Sequence, residues 1–121
     1  MPAVRYIVSD IESSVAFYRD MLGFTVDIDR SPQFAALARE GVTLFVNVPG
    51  MGSAGRAGGN PEPGGWNRFQ IETDDLDATI ADLRAKGATF RGEVAEGAGG
   101  RQILLLDPSG NVVELFEHAN G

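Results

Sequence analysis

The sequence predicts an α+β domain built from two tandem βαβββ modules. Three observations carry the prediction. Ser9-Asp10-Ile11-Glu12-Ser13-Ser14-Val15-Ala16-Phe17-Tyr18-Arg19 recurs in the second half as Asp74-Asp75-Leu76-Asp77-Ala78-Thr79-Ile80-Ala81-Asp82-Leu83-Arg84. Each copy follows a segment alternating with period two and precedes a glycine, Gly23 or Gly87, and three more extended segments. Between the copies lies a stretch dense in Gly and Pro, residues 49–65. Such a repeat is one supersecondary unit used twice, and a cleft shared by the two copies is the place to expect a site. The expected organisation is a single domain: module one 1–48, linker 49–65, module two 66–121.

The elements follow in order. Val4, Tyr6 and Val8 share one strand face, and Ala3, Arg5 and Ile7 share the other. The more apolar set is expected under the helix. Ser9 with Glu12 fits a capping box, and Ile11, Val15, Tyr18 and Leu22 form an apolar stripe at helical spacing. Gly23 then suits a left-handed cap. Strands are expected at 24–29, 34–39 and 42–48. In the second copy Phe69, Ile71 and Thr73 oppose Arg68, Gln70 and Glu72. Asp74 with Asp77 is a shorter form of the cap, Leu76, Ile80 and Leu83 form the stripe, and Gly87 is the stop. Strands follow at 89–94, 101–106 and 112–117, the last two joined by the turn Asp107-Pro108-Ser109-Gly110-Asn111.

Bulk properties exclude several functions. A chain of 121 residues with 43% apolar content is enough for one core. No apolar run nears the roughly 20 residues that cross a bilayer, and Met1-Pro2-Ala3-Val4-Arg5-Tyr6 lacks signal-peptide order. The expectation is a soluble, cytoplasmic protein with no membrane partner. With no cysteine there is no disulfide and no thiolate chemistry. The net charge of −7 argues against nucleic acid, which demands clustered Lys and Arg.

Gly50-Met51-Gly52-Ser53-Ala54-Gly55 matches G-x-G-x-x-G, but no helix can open at Arg56-Ala57-Gly58-Gly59-Asn60-Pro61, so it reads as linker. His118 is the only histidine and is expected in an exposed tail, which removes any Ser-His-Asp relay or multi-histidine zinc site. Glu114 places a carboxylate between Val112 and Phe116 and must meet either water in a cleft or a cationic partner. Arg68 and Gln70 share a strand face, with Arg5 in the place of Gln70 in the first copy; this face is either a wet exterior or a polar cleft floor. Trp66 is expected as a packing anchor, with an aromatic wall for a planar ligand as the alternative.

Val8 to Tyr18, Leu22-Gly23-Phe24, Asp75 to Ile80 and Asp107-Pro108-Ser109-Gly110-Asn111-Val112-Val113-Glu114-Leu115 together resemble the vicinal oxygen chelate superfamily of glyoxalases, bleomycin-resistance proteins and extradiol dioxygenases. The resemblance spans nearly the whole chain. It implies an incomplete barrel around the shared cleft, a homodimer, and metal ligands on the first and last strands of each module. Carried over, those ligand positions fall at Ala3, at Leu44 or Phe45, at Arg68 and at Glu114. Only Glu114 keeps a ligand type, so no metal and no cofactor are expected. If Arg68 projects to the metal position, its guanidinium pairs with Glu114 and replaces the ion's charge.

The leading expectation is a metal-independent small-molecule binding protein of the bleomycin-resistance type, sequestering an antibiotic or another aromatic or polar metabolite. Its candidate ligand-binding residues are Arg5, Ile7, Trp66, Arg68, Gln70 and Glu114. The alternative is a superfamily enzyme, a lyase, isomerase or dioxygenase, using Glu114 as base and Arg68 to stabilise developing charge. A third is a regulatory or interaction module with no ligand.

Overall fold

The computed structural model describes residues 2–51 and 57–119. The chain divides into two compact units, Met1–Gly65 with Pro108–Asn111, and Trp66–Asp107 with Val112–Gly121. Each contains one four-stranded mixed sheet, and neither sheet closes into a barrel. No helix among the described residues is long and apolar enough to cross a membrane. Most of the Gly50–Gly55 motif lies outside the described residues.

In the first unit β1 (Ala3–Ile7) leads into α1 (Ile11–Ala16), which continues as a π-helical turn over Phe17–Met21. Strands β2 (Thr25–Arg30), β3 (Phe34–Arg39) and β4 (Val42–Asn47) follow, and the sheet order is β1-β4-β3-β2. Only the β1–β4 pair is parallel. Tyr6 and Val8 are buried with Ile11, Val15, Tyr18 and Phe24, and with Leu37, Leu44 and Val46 from the sheet, as the period-two and helical stripes require. Tyr18 meets Phe17 and Phe24 edge-on at 4.9 and 5.5 Å between ring centres. Gly23 has φ 72°, a conformation that favours glycine at a helix end.

The helix cap differs from expectation. Asp10, not Ser9, caps α1, its carboxylate accepting from the Ser13 amide at 2.8 Å. The Ser9 amide instead donates to the Ser109 hydroxyl at 2.9 Å. Asn111 completes this turn: its Nδ2 donates to the Ile7 carbonyl and its Oδ1 accepts from the Gly64 amide, both at 2.8 Å.

The second unit repeats the plan with β5 (Arg68–Glu72), α2 (Leu76–Ala85), β6 (Thr89–Gly97), β7 (Gly100–Leu106) and β8 (Val112–His118), in sheet order β5-β8-β7-β6. Again only the first and last strands pair in parallel. Asp75, not Asp74, caps α2 through the Ala78 amide at 3.0 Å. Strand β6 runs three residues beyond the expected Val94, across an irregularity between Arg91 and Ala95. Ile71, Leu76, Ile80, Leu83, Ile103, Leu105, Val113 and Leu115 are buried.

Candidate functional site

Register decides which side chains of the second unit share a face. The parallel β5–β8 pair sets Arg68 opposite Val112, Gln70 opposite Glu114, and Glu72 opposite Phe116. Strand β7 continues these rows with Leu106, Leu104 and Gln102, and β6 adds Thr89, Arg91 and Ala95. Residues paired directly across strands lie on one side of the sheet. Helix α2 lies on the other side, where Glu117 accepts from the Leu76 amide at 2.7 Å. The face turned away from α2 is therefore a mixture of charge, amide and apolar surface.

Glu114 is its centre. Arg68 Nε donates to Glu114 Oε1 at 2.9 Å and Gln70 Nε2 donates to Oε2 at 2.8 Å. The Gln102 amide, oriented by its hydrogen bonding with the nitrogen toward Glu114, reaches Oε1 and Oε2 at 2.8 and 3.1 Å. An ionised carboxylate offers about four lone-pair positions, and these four contacts fill them. A side chain only 13% exposed is thereby compensated by one cation and two amides. Arg68 is more open, at 36%, and its Nη1 donates to the Trp66 carbonyl at 3.3 Å. Solvent screening at that exposure leaves the ion pair worth little by its charge alone; its role is to fix geometry.

Trp66 overturns the packing-anchor expectation. It is 67% exposed, and the Arg91 guanidinium sits 4.5 Å from the ring centre. The residue precedes β5 and follows Gly64 and Gly65, whose φ values of 95° and 99° make a left-handed turn outside the period-two pattern that half-buries Phe69 and buries Ile71. His118 is exposed as expected, yet it ends β8 rather than lying in a loose tail. Its Nε2 lies 2.9 Å from Glu72 Oε1, and its ring meets Phe116 edge-on at 4.8 Å.

The first unit carries Arg5 and Ile7, and the second carries the other four candidates. Arg5 lies 5.1 Å over the Phe45 ring and donates from Nη1 to Asn47 Oδ1 at 2.7 Å. Asn47 is buried and also donates to the Val48 and Met51 carbonyls at 3.2 and 3.0 Å. Phe34 stands 5.9 Å from Phe45. The two sheets share one register: Arg5 pairs with Phe45 as Gln70 pairs with Glu114. Phe45, not Leu44, is thus the counterpart of Glu114.

Two residues here were missed by sequence reasoning, Gln102 and Asn47. Gln102 is the polar member of an otherwise apolar set with Leu104 and Leu106, a visible signal that gains meaning only once β7 is registered against β8. Asn47 closes an alternating strand and reads there as a turn residue.

These side chains do not make a donor set for a divalent ion. Ala3 and Phe45 offer no ligand atom, Arg68 brings a positive charge, and Glu114 has its lone pairs engaged. No group of three or more His, Asp or Glu that could hold a metal occurs among the described residues. Two grooves elsewhere, one of ≈ 600 Å³ along Leu22, Thr25, Arg39 and Val42 and one of ≈ 220 Å³ along Asp77, Arg84 and Glu93, include none of the candidate residues.

Comparison with known proteins gives a consistent picture. Residues 1–115 match the model of the Glyoxalase/Bleomycin resistance protein/Dioxygenase superfamily. The mitochondrial methylmalonyl-CoA epimerase of Mus musculus is 30% identical over 128 aligned positions, covering 93% of this chain and 69% of that protein. Among solved structures, a superfamily member from Sphaerobacter thermophilus DSM 20745 is similar at TM-score 0.76 and 26% identity, with 98% and 96% of the two chains covered. TnmS3, an antibiotic binding protein from Streptomyces sp. CB03234, is similar at TM-score 0.70 and 27% identity, with 97% and 93% covered. With residues 1–115 of the 121 matched by the family model and both four-stranded sheets in place, the chain belongs to the glyoxalase/bleomycin resistance protein/dioxygenase superfamily.

Proposed function

We propose that the chain is a small-molecule binding protein that works without a divalent metal, sequestering an antibiotic or another polar aromatic metabolite. The observation that carries this reading is the state of Glu114, whose lone pairs are taken up by Arg68, Gln70 and Gln102. A metal ligand or a general base needs at least one of those positions open. Binding needs only shape, apolar surface and a few oriented polar groups, and the Arg68–Gln70–Glu114 cluster with Trp66 nearby supplies them. The similarity to an antibiotic binding protein supports the same reading. Arg5 and Ile7 contribute a second ligand face in this proposal, and the working protein is a cytoplasmic homodimer.

The epimerase relatives favour a second reading, an enzyme that moves a proton next to a carbonyl. In that case Glu114 is the base and Arg68 steadies the enolate. It requires one of the donors on Glu114 to swing away when substrate arrives.

Metal analysis and a thermal-shift screen separate these readings. The binding-protein reading expects less than stoichiometric Zn, Ni, Mn or Fe, and no shift with chelator. An aromatic antibiotic at about 100 times its Kd raises stability by about 2.7 kcal/mol, on the order of 10 °C for a chain of this size. Arg68→Ala should shrink that response. Stoichiometric metal that disappears in Glu114→Ala overturns the reading. A flat response across antibiotics, 2-oxo acids and thiol adducts favours instead a module with no ligand.

A further inference from the structure

The geometry points to a ligand that presents a neutral edge to the second sheet, with a donor and an acceptor side by side, and to Glu114 as the residue that sets this preference. The inference rests on the small-molecule reading above and adds the class of ligand. It follows from charge and hydrogen-bond inventory on the face turned away from α2.

The Arg68 charge is balanced where it stands. Arg68 is paired with Glu114 at 2.9 Å, and Glu114 is much the more buried partner. Arg91 lies over the Trp66 ring, and Glu72 lies against His118. An incoming carboxylate or phosphate at Arg68 therefore meets no unbalanced cation: whatever it gains from Arg68 it loses to Glu114 behind it. A bare guanidinium would be an anion receptor; this one is already neutralised.

The same contacts decide what remains available. Glu114 holds Arg68 Nε on one oxygen and Gln70 Nε2 on the other. Since the two oxygens belong to a single carboxylate, the two head groups stand next to each other. Arg68 Nη2 and the Gln70 side-chain carbonyl take part in no hydrogen bond among the described residues, so one donor and one acceptor remain on the two neighbouring head groups. Leu104, Leu106 and Phe116 on the same face supply half-buried apolar surface around them. The complement is a planar group carrying its own acceptor and donor, an aromatic amide or lactam edge, and not a carboxylate, which offers two acceptors and a charge. Glu114 does not itself meet the ligand. It acts as a positioning residue, and by cancelling the Arg68 charge it selects against anions.

Benzamide and benzoate form a matched pair of probes, equal in shape and different in charge and donor content. Each is titrated into the full chain, with backbone ¹H–¹⁵N shifts of β5 and β8 as readout, for the wild type and for Glu114→Gln. The variant keeps the shape and one acceptor oxygen, and its own spectrum reports its fold. The wild type should bind benzamide at least tenfold more tightly than benzoate. Folded Glu114→Gln, which leaves Arg68 as an uncompensated cation, should reverse that order. A wild type that binds benzoate as well as benzamide overturns the inference and leaves the small-molecule reading standing. A folded Glu114→Gln that keeps the wild-type preference refutes the role of Glu114. If neither probe moves those shifts at millimolar concentration the inference fails, and a flat thermal-shift panel besides takes the binding reading with it.

Discussion

Asn111→Ala should be among the most damaging single polar substitutions in the chain. Asn111 is 3% exposed, and its amide serves two backbone groups remote in sequence: the carbonyl of Ile7 and the N–H of Gly64, each at 2.8 Å. Alanine removes both partners at once. An unsatisfied buried backbone group costs roughly 1–3 kcal/mol. Ile7 and Gly64 are half-buried, so water compensates part of the loss and the lower half of that range applies to each. The sum is about 2–4 kcal/mol, against a total stability of about 5–15 kcal/mol for an ordinary domain. With an unfolding entropy near 2 cal/mol/K per residue, the melting point should fall by roughly 8–16 °C. Calorimetry and urea midpoints at constant m-value measure it. Asn111→Asp sharpens the test, because it retains an acceptor for Gly64 but sets a second oxygen against the Ile7 carbonyl. It should be no better tolerated than alanine. A loss under about 0.5 kcal/mol for either variant, the range of ordinary surface changes, would refute the reasoning.

Gly100→Ala builds a Cβ into the Glu117 carbonyl at a backbone φ of 149°, so it should cost more than about 2 kcal/mol and speed hydrogen exchange at the open end of β7 and β8; a neutral result would overturn the register assigned there. Asp75→Ala should cost about 1 kcal/mol of stability by urea denaturation while Asp74→Ala changes it little, and the reverse order would return the cap to Asp74. Hydrogen bonds from the Ser13 amide and then the Ser13 side chain hold the Asp10 carboxyl below its ordinary value. A carboxyl depressed on folding adds stability above its unfolded pKa of about 4 and loses it as pH falls through the lower folded value. Asp10→Asn should accordingly flatten that part of the acid limb in urea midpoints taken between about pH 2 and 6; superimposable limbs would remove the cap from the account.

What could be read from sequence and what could not divide along physical lines. The strands and both helices were legible because period-two and helical stripes are local, and Gly23 and Gly87 mark their stops with left-handed backbone. The caps were misplaced by one residue for a related reason. Ser9-x-x-Glu12 and Asp10-x-x-Ser13 are overlapping frames, and choosing between them depends on Ser9 being drawn away by Ser109, a contact across most of the chain. The Arg68–Glu114 pair was anticipated from the metal positions that the family resemblance carries over; the parallel register sets the two diagonally, with Gln70 directly opposite Glu114. Gln102 joins them only through the antiparallel β7–β8 register. Trp66 was misjudged because the habit of tryptophan is burial, and the local turn at Gly64 and Gly65 outweighs habit. Arg91, its partner, lies on a strand whose pairing shifts register close by, which no periodicity reveals.

The alternation along β5, β7 and β8 has a practical consequence. On β8, Val113 and Leu115 point to the core while Glu114 and Phe116 point away from α2; on β5, Ile71 and Gln70 divide in the same manner. One short strand thus carries two messages that are edited independently. A randomised library confined to positions 70, 102, 104 and 116, with Arg68 and Glu114 held fixed, would vary what the surface recognises and leave the packed side untouched. Clones from such a library should stay folded at high frequency, which makes this sheet a starting point for selecting binders to new compounds.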